Sequence, residues 1–297
     1  MTASKILVVH RRSAYTDIVS DSRHPRIKSL IHEGNPLIAS YVAAHEHHTA
    51  SMAKVESALK ERGLCYTWRH HIDDLDPDEF DLVVTVGGDG TVLHASHAIE
   101  KAPVLAVNSA PTTSTGFFTC TDADGFGGVL DQVSAGEMKP VKLSRMEVRV
   151  NDKIITDRAL NDVLFCHACP ASTTRYVLMF NDTAEHQISS GIWIGTAAGS
   201  TAALKAAGGR PMSPGSRRLQ FVVREPFPYG GGHVRRLPEA VRGMIPAGSS
   251  LSIYSKTEVA RLYVDGPHVE FSVDFGDKVT FSLSDKAFSL FTKQHEK

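Results

Sequence analysis

Asp81-Leu-Val-Val-Thr-Val-Gly-Gly-Asp-Gly-Thr91 decides how the first part of this chain folds. Most of residues 81–86 are apolar and predict a buried strand, and a helix is predicted from Val92 to Glu100. The glycines between them permit a sharp turn and the close approach of a ligand to the backbone. Successive N–H groups followed by a helix N-terminus form a cradle that suits phosphate.

Strands and helices alternate on both sides of this stretch. Apolar strands are predicted at Lys5–His10, Cys65–His71 and Val104–Asn108, and a helix is predicted over residues 37–62. Continuously apolar strands separated by helices indicate a parallel sheet that is covered on both faces, with ligands beyond the carboxyl ends of its strands.

Residues 11–36 interrupt this alternation. Their charges, together with His24-Pro25 and Gly34-Asn35-Pro36, favour a loop, which is a candidate for a mobile flap.

The pattern changes at about Val141, beyond a boundary region near residues 120–140 that contains a predicted short helix, Phe126 to Val133. Turn residues such as Asp265-Gly266 now separate short alternating segments, which predict antiparallel strands. The segments are Arg145–Val150, Asp152–Thr156, Tyr176–Phe180, Ile192–Gly195, Leu219–Arg224, Ser250–Tyr254, Arg261–Val264 and Val279–Leu283.

Charge and hydropathy exclude some classes of partner. Lys+Arg 32 against Asp+Glu 33 argues against nucleic acid or an anionic membrane surface as the main partner. No apolar run approaches the roughly 18–20 residues that span a bilayer, and the N-terminus does not resemble a signal peptide. A cytoplasmic protein is therefore expected.

The cysteines and histidines do not predict a metal site. Cys166 and Cys169 form a C-x-x-C without a second ligand pair, so two buried or semi-buried thiols are expected. His45, His47 and His48 fall near the start of the predicted helix, where neighbouring positions do not share a face, and a solvated or capping role is expected.

Asp89 is the residue whose presence most needs explaining, because a carboxylate in a phosphate cradle repels its ligand. Two chemical roles fit it: holding Mg²⁺, or accepting the proton of an attacking hydroxyl. Both lead to phosphoryl transfer to an alcohol. The structural alternative is a tight turn in which Asp89 caps the following helix.

Two later blocks are suited to a nucleotide. Asn161-Asp162 can donate to and accept from base edges and ribose hydroxyls, although a simple turn explains it equally well. In Ser189-Ser-Gly-Ile-Trp-Ile-Gly-Thr-Ala-Ala-Gly-Ser-Thr201 a strand enters a turn of small residues, and Ser200-Thr201 is predicted to start an alanine-rich helix. The alternative is a serine-capped helix packed closely on a sheet.

These blocks together resemble the NAD kinase family over nearly the whole chain, and the plant-type NADH kinase branch most. The ordered motifs are Gly87-Gly-Asp-Gly-Thr91, Pro103-Val-Leu-Ala-Val-Asn108, Ala159-Leu-Asn-Asp162 and Gly199-Ser-Thr-Ala202. Longer matches to the plant-type branch cover Thr85–His97, Ser189–Gly191, Thr196–Ala203 and Leu219–Pro226.

The resemblance implies an α/β N-terminal domain with a Rossmann-like parallel sheet over residues 1–125. It implies an all-β sandwich-like domain over residues 126–297, whose C-terminal end can pack back on the first, and an active site between the two. The implied reaction phosphorylates the 2′-hydroxyl of the adenosine ribose of NAD or NADH. ATP with Mg²⁺ is the implied donor system, with another nucleotide or polyphosphate left open, and a homodimer or larger homo-oligomer is expected.

The resemblance also implies roles for individual residues. Asp89 would accept the hydroxyl proton, and Gly88 and Gly90 would approach the phosphates. The remaining positions assigned to substrate or nucleotide are Thr91, Asn108, Asn161, Asp162, Ser190, Thr196, Ala198, Gly199, Ser200, Thr201 and Ala202.

Two departures from the family pattern concern the nicotinamide end. Ser190 stands where most members have an acidic residue, as in plant-type NADH kinases, and Ala203 replaces a usual tyrosine. A neutral serine removes a carboxylate that favours the cationic oxidised ring, so NADH is the expected preference. The competing hypotheses are a lipid kinase of the diacylglycerol or sphingosine type, which shares the glycine motif, and a non-catalytic dinucleotide-sensing module.

Overall fold

A computed structural model of the chain describes residues 5–20, 25–70, 72, 74–112, 114–181, 183–227 and 241–292. The chain divides into two compact units. Met1–Val141 and Ser289–Lys297 form the first, and Lys142–Phe288 form the second. The first unit extends beyond residue 125 because the helix Phe126–Ala135 packs into its core.

The first unit is a parallel sheet with helices. Its strands are β1 (Lys5–His10), β2 (Cys65–Arg69), β3 (Leu82–Gly87), β4 (Val104–Asn108) and β5 (Thr121–Asp122), and its helices are α1 (Ala14–Ser20), α2 (Pro25–His32), α3 (Pro36–Glu61), α4 (Asp89–Ser96) and α5 (Phe126–Ala135). The strands run in the order β2-β1-β3-β4, all in parallel, and Leu290 and Phe291 pair in parallel with β4. The predicted α/β architecture is confirmed.

The core of this unit explains the apolar runs. Every residue of β3 and β4 is buried, as both faces of the sheet are covered. Val55 and Leu59 of α3 and Phe126 of α5 pack with Val84 and Val107 of the strands. Each such side chain contributes about 1.5–3 kcal/mol when it is fully buried.

The second unit consists of two antiparallel sheets. Its strands are β6 (Val141–Val150), β7 (Lys153–Ala159), β8 (Asp162–His167), β9 (Thr174–Phe180), β10 (Thr183–Ser189), β11 (Ile192–Gly195), β12 (Arg218–Val223), β13 (Arg242–Pro246), β14 (Ser250–Ser255), β15 (Ala260–Val264), β16 (Val269–Val273) and β17 (Lys278–Phe291), with one short helix, α6 (Ala203–Ala206). One sheet has the order β13-β12-β11-β8-β15-β16, and the other joins β10-β9-β14-β17 with β6 and β7. Phe165 and Phe221 of the former share a core with Tyr176 and Phe281 of the latter, which confirms the sandwich-like prediction.

The prediction of a loop over residues 11–36 is wrong. The described part of that segment contains the helices α1 and α2. Its turn-forming residues lie at helix boundaries. Asn35 caps α3 by accepting a hydrogen bond from the backbone N–H of Leu37, and Pro36 opens the helix, where a missing N–H costs nothing. Among the described residues, no helix combines the length and apolar character needed to cross a membrane.

His48 differs from the prediction as well. It lies in the middle of α3, is only 8% exposed, and exchanges a 2.8 Å hydrogen bond through Nδ1 with the Ser109 hydroxyl. His71 lies outside the described residues.

Four strands of the second unit were not predicted from sequence: β8, β10, β13 and β16. The strand β8 lies inside its sheet, and the other three lie at sheet edges. Edge strands tolerate the charges of β10 and the glycine and proline of β13, so the alternating apolar signal is weak there.

Candidate active site

The glycine-rich turn lies where β3 ends and α4 begins. Gly88 is the N-cap and supplies no side-chain hydrogen bond, and Asp89 is the first residue of α4, three positions before the predicted start. The Thr91 side chain occupies the space that a Cβ at Gly87 would need. A Cβ at Gly90 would make only an ordinary contact, 3.6 Å from Nη1 of Arg11. The exposed side of the turn is therefore open to a ligand.

The Asp89 carboxylate accepts two backbone hydrogen bonds from the loop that follows β4. Its Oδ1 lies 2.8 Å from the N of Phe118, and its Oδ2 lies 3.0 Å from the N of Phe117. Asp89 therefore does not cap α4, and the capping alternative is wrong. The two amides hold the half-buried carboxylate in one orientation beside the cradle.

Asn108 holds the loop that presents these amides. It is 6% exposed, and its Nδ2 donates to the Ser114 carbonyl at 3.1 Å. Gly116 has φ +62°, and Asn108 leaves no room there for a Cβ. Sequence reasoning missed the amides of Phe117 and Phe118 because backbone donors have no residue-type signal, and a glycine at positive φ is the one trace they leave.

The second unit brings two of the predicted motifs together. Gly195 pairs with Asp162 between β11 and β8, and the backbone N–H of Thr196 donates to the Asn161 carbonyl at 3.0 Å. Gly199 packs directly on the Asn161 backbone, so that a Cβ at Gly199 would overlap the Asn161 carbonyl oxygen.

Gly199→Ala is expected to lower the free energy of unfolding by about 1–3 kcal/mol, because the added methyl group forces the Asn161 turn to move. Urea unfolding measures this change. Gly215→Ala is the matched control, since no atom lies within 4 Å of a Cβ at that position. Equal stability of the two variants would contradict the close packing at Gly199.

The Asp265 carboxylate organises the Asn161-Asp162 turn. It accepts hydrogen bonds from the backbone N–H groups of Leu160 (2.8 Å), Asn161 (2.6 Å) and Asp162 (3.1 Å). Asp162 is 5% exposed, and its Oδ2 accepts from Nδ2 of Asn161 at 3.0 Å. Burial, and then repulsion by Asp265, raise the pKa of Asp162 from its ordinary 3.8 to about 7. Near neutral pH the Asp162 side chain can therefore donate as well as accept a hydrogen bond.

The turn after β11 differs from the predicted alanine-rich helix. Residues Ala198–Thr201 form a 3₁₀ turn, and α6 has only four residues. Ser200 caps no helix, because its hydroxyl donates to the Ala197 carbonyl and accepts from the N–H of Met212. Thr196, Ala198, Gly199 and Ser200 are buried, whereas Thr201 and Ala202 are exposed. The exposed pair is the part of the turn that a ligand can reach.

Ser190 lies at the other end of β11, beside a cavity of about 520 Å³ in the second unit. Leu164, Trp193 and Tyr263 give the cavity a largely apolar lining, and Arg224 brings a cation to it. The backbone N–H of Ser190 donates to the Arg224 carbonyl at 3.0 Å.

Both cysteines of the C-x-x-C also line this cavity. Cys166 is half-buried and Cys169 is exposed, and burial raises the pKa of the Cys166 thiol. Among the described residues, no group of three or more His, Cys, Asp or Glu side chains is arranged to hold a metal ion.

The profile of the ATP-NAD kinase N-terminal domain matches residues 6–138. A probable NADH kinase of Oryza sativa subsp. japonica is 34% identical over 272 residues, which cover 84% of this chain and 82% of that protein. An NADH kinase of Arabidopsis thaliana is 34% identical over 236 residues, which cover 72% of this chain and 73% of that protein.

Two solved structures have a similar fold. One is the NAD kinase from Archaeoglobus fulgidus in complex with ATP, with a TM-score of 0.66 and 19% sequence identity. The alignment covers 98% of this chain and 94% of that chain. The other is the yeast NADH kinase in complex with NADH, with a TM-score of 0.67 and 18% sequence identity. The alignment covers 99% of this chain and 84% of that chain. At this identity the likeness concerns the fold alone.

Proposed function

Because the chain belongs to the NAD kinase family, we propose that it transfers the γ-phosphoryl group of ATP to the 2′-hydroxyl of the adenosine ribose of NADH or NAD, with NADH preferred. The observation that carries the proposal is the Asp89 carboxylate, held by two backbone amides next to an open glycine turn.

Asp89 accepts the hydroxyl proton in this scheme. The ribose oxygen forms a bond to the γ-phosphorus while the bond from that phosphorus to the β,γ-bridging oxygen breaks, and ADP leaves. The proton passes to the Asp89 carboxylate and then to solvent. A positioned base contributes about 10²–10⁴ to the rate, and alignment of the reactants supplies much of the remainder.

Mg²⁺ fits this site as a partner of ATP. The ion would take its ligands from the phosphate oxygens and water, which leaves the Asp89 carboxylate to accept the hydroxyl proton. When bound, Mg²⁺ neutralises charge on the transferring phosphoryl group.

The direct test is incubation of the protein with ATP, Mg²⁺ and either NADH or NAD, with chromatographic detection of the 2′-phosphorylated product. Formation of NADPH or NADP is expected. Binding of dinucleotide without product would support the sensing module, and phosphorylation of diacylglycerol or sphingosine in its place would support the lipid kinase.

The lining of the second-unit cavity supports the NADH preference. Ser190 brings no carboxylate to it, and the Arg224 guanidinium lies 3.5 Å from the Ser190 carbonyl. Glu225 contacts Arg224 at 3.7 Å but is 68% exposed, so it screens that charge only weakly. In this proposal the nicotinamide end of the dinucleotide lies at this cavity. The Arg224 cation then disfavours the positively charged nicotinamide ring of NAD, whereas the neutral ring of NADH is not repelled.

Arg224→Gln is expected to lower the ratio of kcat/KM for NADH to kcat/KM for NAD by about tenfold, because it removes the repelling charge. Steady-state kinetics with both dinucleotides measure the ratio. Arg218→Gln, at the exposed first position of β12, the strand that ends just before Arg224, should leave the ratio unchanged. A wild-type kcat/KM for NAD at or above that for NADH would contradict the preference itself.

The cytoplasmic location and the homodimeric state belong to the same proposal. No disulfide bond joins any two of the four cysteines, all of which the structure describes, and this supports a reducing compartment. Light scattering of the purified chain measures its oligomeric state.

A further inference from the structure

Arg11 follows β1 directly and reaches the glycine turn. His10, the last residue of β1, pairs in parallel with Val86 of β3, so Arg11 lies at the same edge of the sheet as the turn. Its Nη1 is 3.6 Å from the position of a Cβ on Gly90. The guanidinium therefore lies beside Gly90 in the first turn of α4.

The charge of Arg11 has no counter-ion in the described part of the chain. Several other cations of this unit have an ion pair, among them Lys5 with Glu79, Lys54 with Asp124 and Arg62 with Asp131. Arg11 is half-buried, and no hydrogen bond or ion pair of its side chain occurs among the described residues. A guanidinium held without a carboxylate beside open backbone N–H groups is suited to an anion such as phosphate.

Two histidines of this unit, His10 and His48, carry no charge at neutral pH and therefore do not compete with Arg11 for an anion. The His10 and His48 rings lie 6.4 Å apart, and Nε2 of His48 has no hydrogen-bond partner among the described residues. Burial is the main cause that lowers the pKa of both histidines, and repulsion from a neighbouring imidazole adds to it. At neutral pH both rings are uncharged, so the positive charge here is that of Arg11.

We propose that Arg11 binds the terminal phosphates of the phosphoryl donor and holds the transferring group against the first turn of α4. The inference rests on the proposed function and adds a catalytic residue to it. Arg11 forms no covalent bond and moves no proton. Its guanidinium neutralises the phosphoryl oxygens while the bond to the leaving ADP breaks. Because it recognises phosphate and not the base, inorganic triphosphate should occupy the same place.

The test compares Arg11→Gln with Arg12→Gln, which removes the same charge from the adjacent exposed position. Arg11→Gln is expected to raise KM for ATP about tenfold or more and to lower kcat, with KM for NADH within twofold of wild type. Arg12→Gln should match wild type, and Arg11→Lys should recover part of the loss, because it keeps the charge without the planar fork. Wild-type values of KM for ATP and kcat in Arg11→Gln would overturn the inference.

Binding measurements separate this inference from the proposed function. Calorimetry with ATP and with inorganic triphosphate requires no turnover, and urea unfolding shows whether each variant is folded. If ATP binds wild type tenfold more tightly than Arg11→Gln while neither dinucleotide is phosphorylated, the donor site stands and the proposed function fails. If wild type makes NADPH and Arg11→Gln binds ATP and triphosphate equally well, the proposed function stands and the role of Arg11 is refuted.

Discussion

Asp89→Asn is expected to lower kcat for NADPH formation by about 10²–10⁴-fold, with the affinity for NADH within a few-fold of wild type. The amide cannot accept the hydroxyl proton, although its shape is the same. Its oxygen can accept from only one of the Phe117 and Phe118 amides, because the amide nitrogen now faces the other. A loss of about 1–2 kcal/mol in the free energy of unfolding should accompany the loss of turnover.

Single-turnover rates and NADH fluorescence titrations measure the two effects separately. Asp124→Asn is the matched control, since Asp124 is an exposed acid of the same unit that pairs with Lys54. The control should retain wild-type turnover. Wild-type turnover in Asp89→Asn itself would exclude the proton-accepting role.

Asp162→Asn is expected to stabilise the protein, and the gain should be about 2–3 kcal/mol larger at pH 8 than at pH 5. The pKa of Asp162 is about 7 in the folded protein and near 3.8 when the residue is exposed. Between these values the folded chain keeps a proton that the unfolded chain has lost. The stability of the wild type therefore falls as pH rises through this window and levels off above about pH 7, whereas a neutral amide carries no such dependence.

Urea unfolding at several pH values measures this difference. Asp285→Asn, at an exposed position of β17, removes a carboxylate that carries no burial cost and should show no such trend. A stability difference between Asp162→Asn and wild type that does not change with pH would mean that Asp162 ionises normally in the fold.

The β3 turn could be predicted from sequence because its signals are local. A buried strand, three glycines and a helix start are contiguous, and the structure differs only in beginning α4 at Asp89. Local reasoning fails where one residue type serves two purposes. Asn35-Pro36 marks a loop in one context and the first turn of a helix in another, and here it opens α3.

The contacts that shape the candidate site were beyond prediction for a different reason. Asp89 is held by amides 28 and 29 residues away. Ser200 was expected to cap a helix but holds Met212 instead, because tertiary contacts outweigh capping preference in so short an element. Motif residues identify the chemistry, whereas the partners that orient them depend on the completed fold.

The sequence separation of the Asp265 contacts affects when, during folding, the Asn161-Asp162 turn takes the form that is proposed to bind the dinucleotide. The bond from the Leu160 amide to Asp265 crosses 105 positions of the chain. Contacts of such sequence separation form late, because closing a long stretch of chain costs entropy before the contact is gained. A nascent polypeptide released before Asp265 emerges would carry Asn161-Asp162 intact and yet present an unformed surface to its dinucleotide.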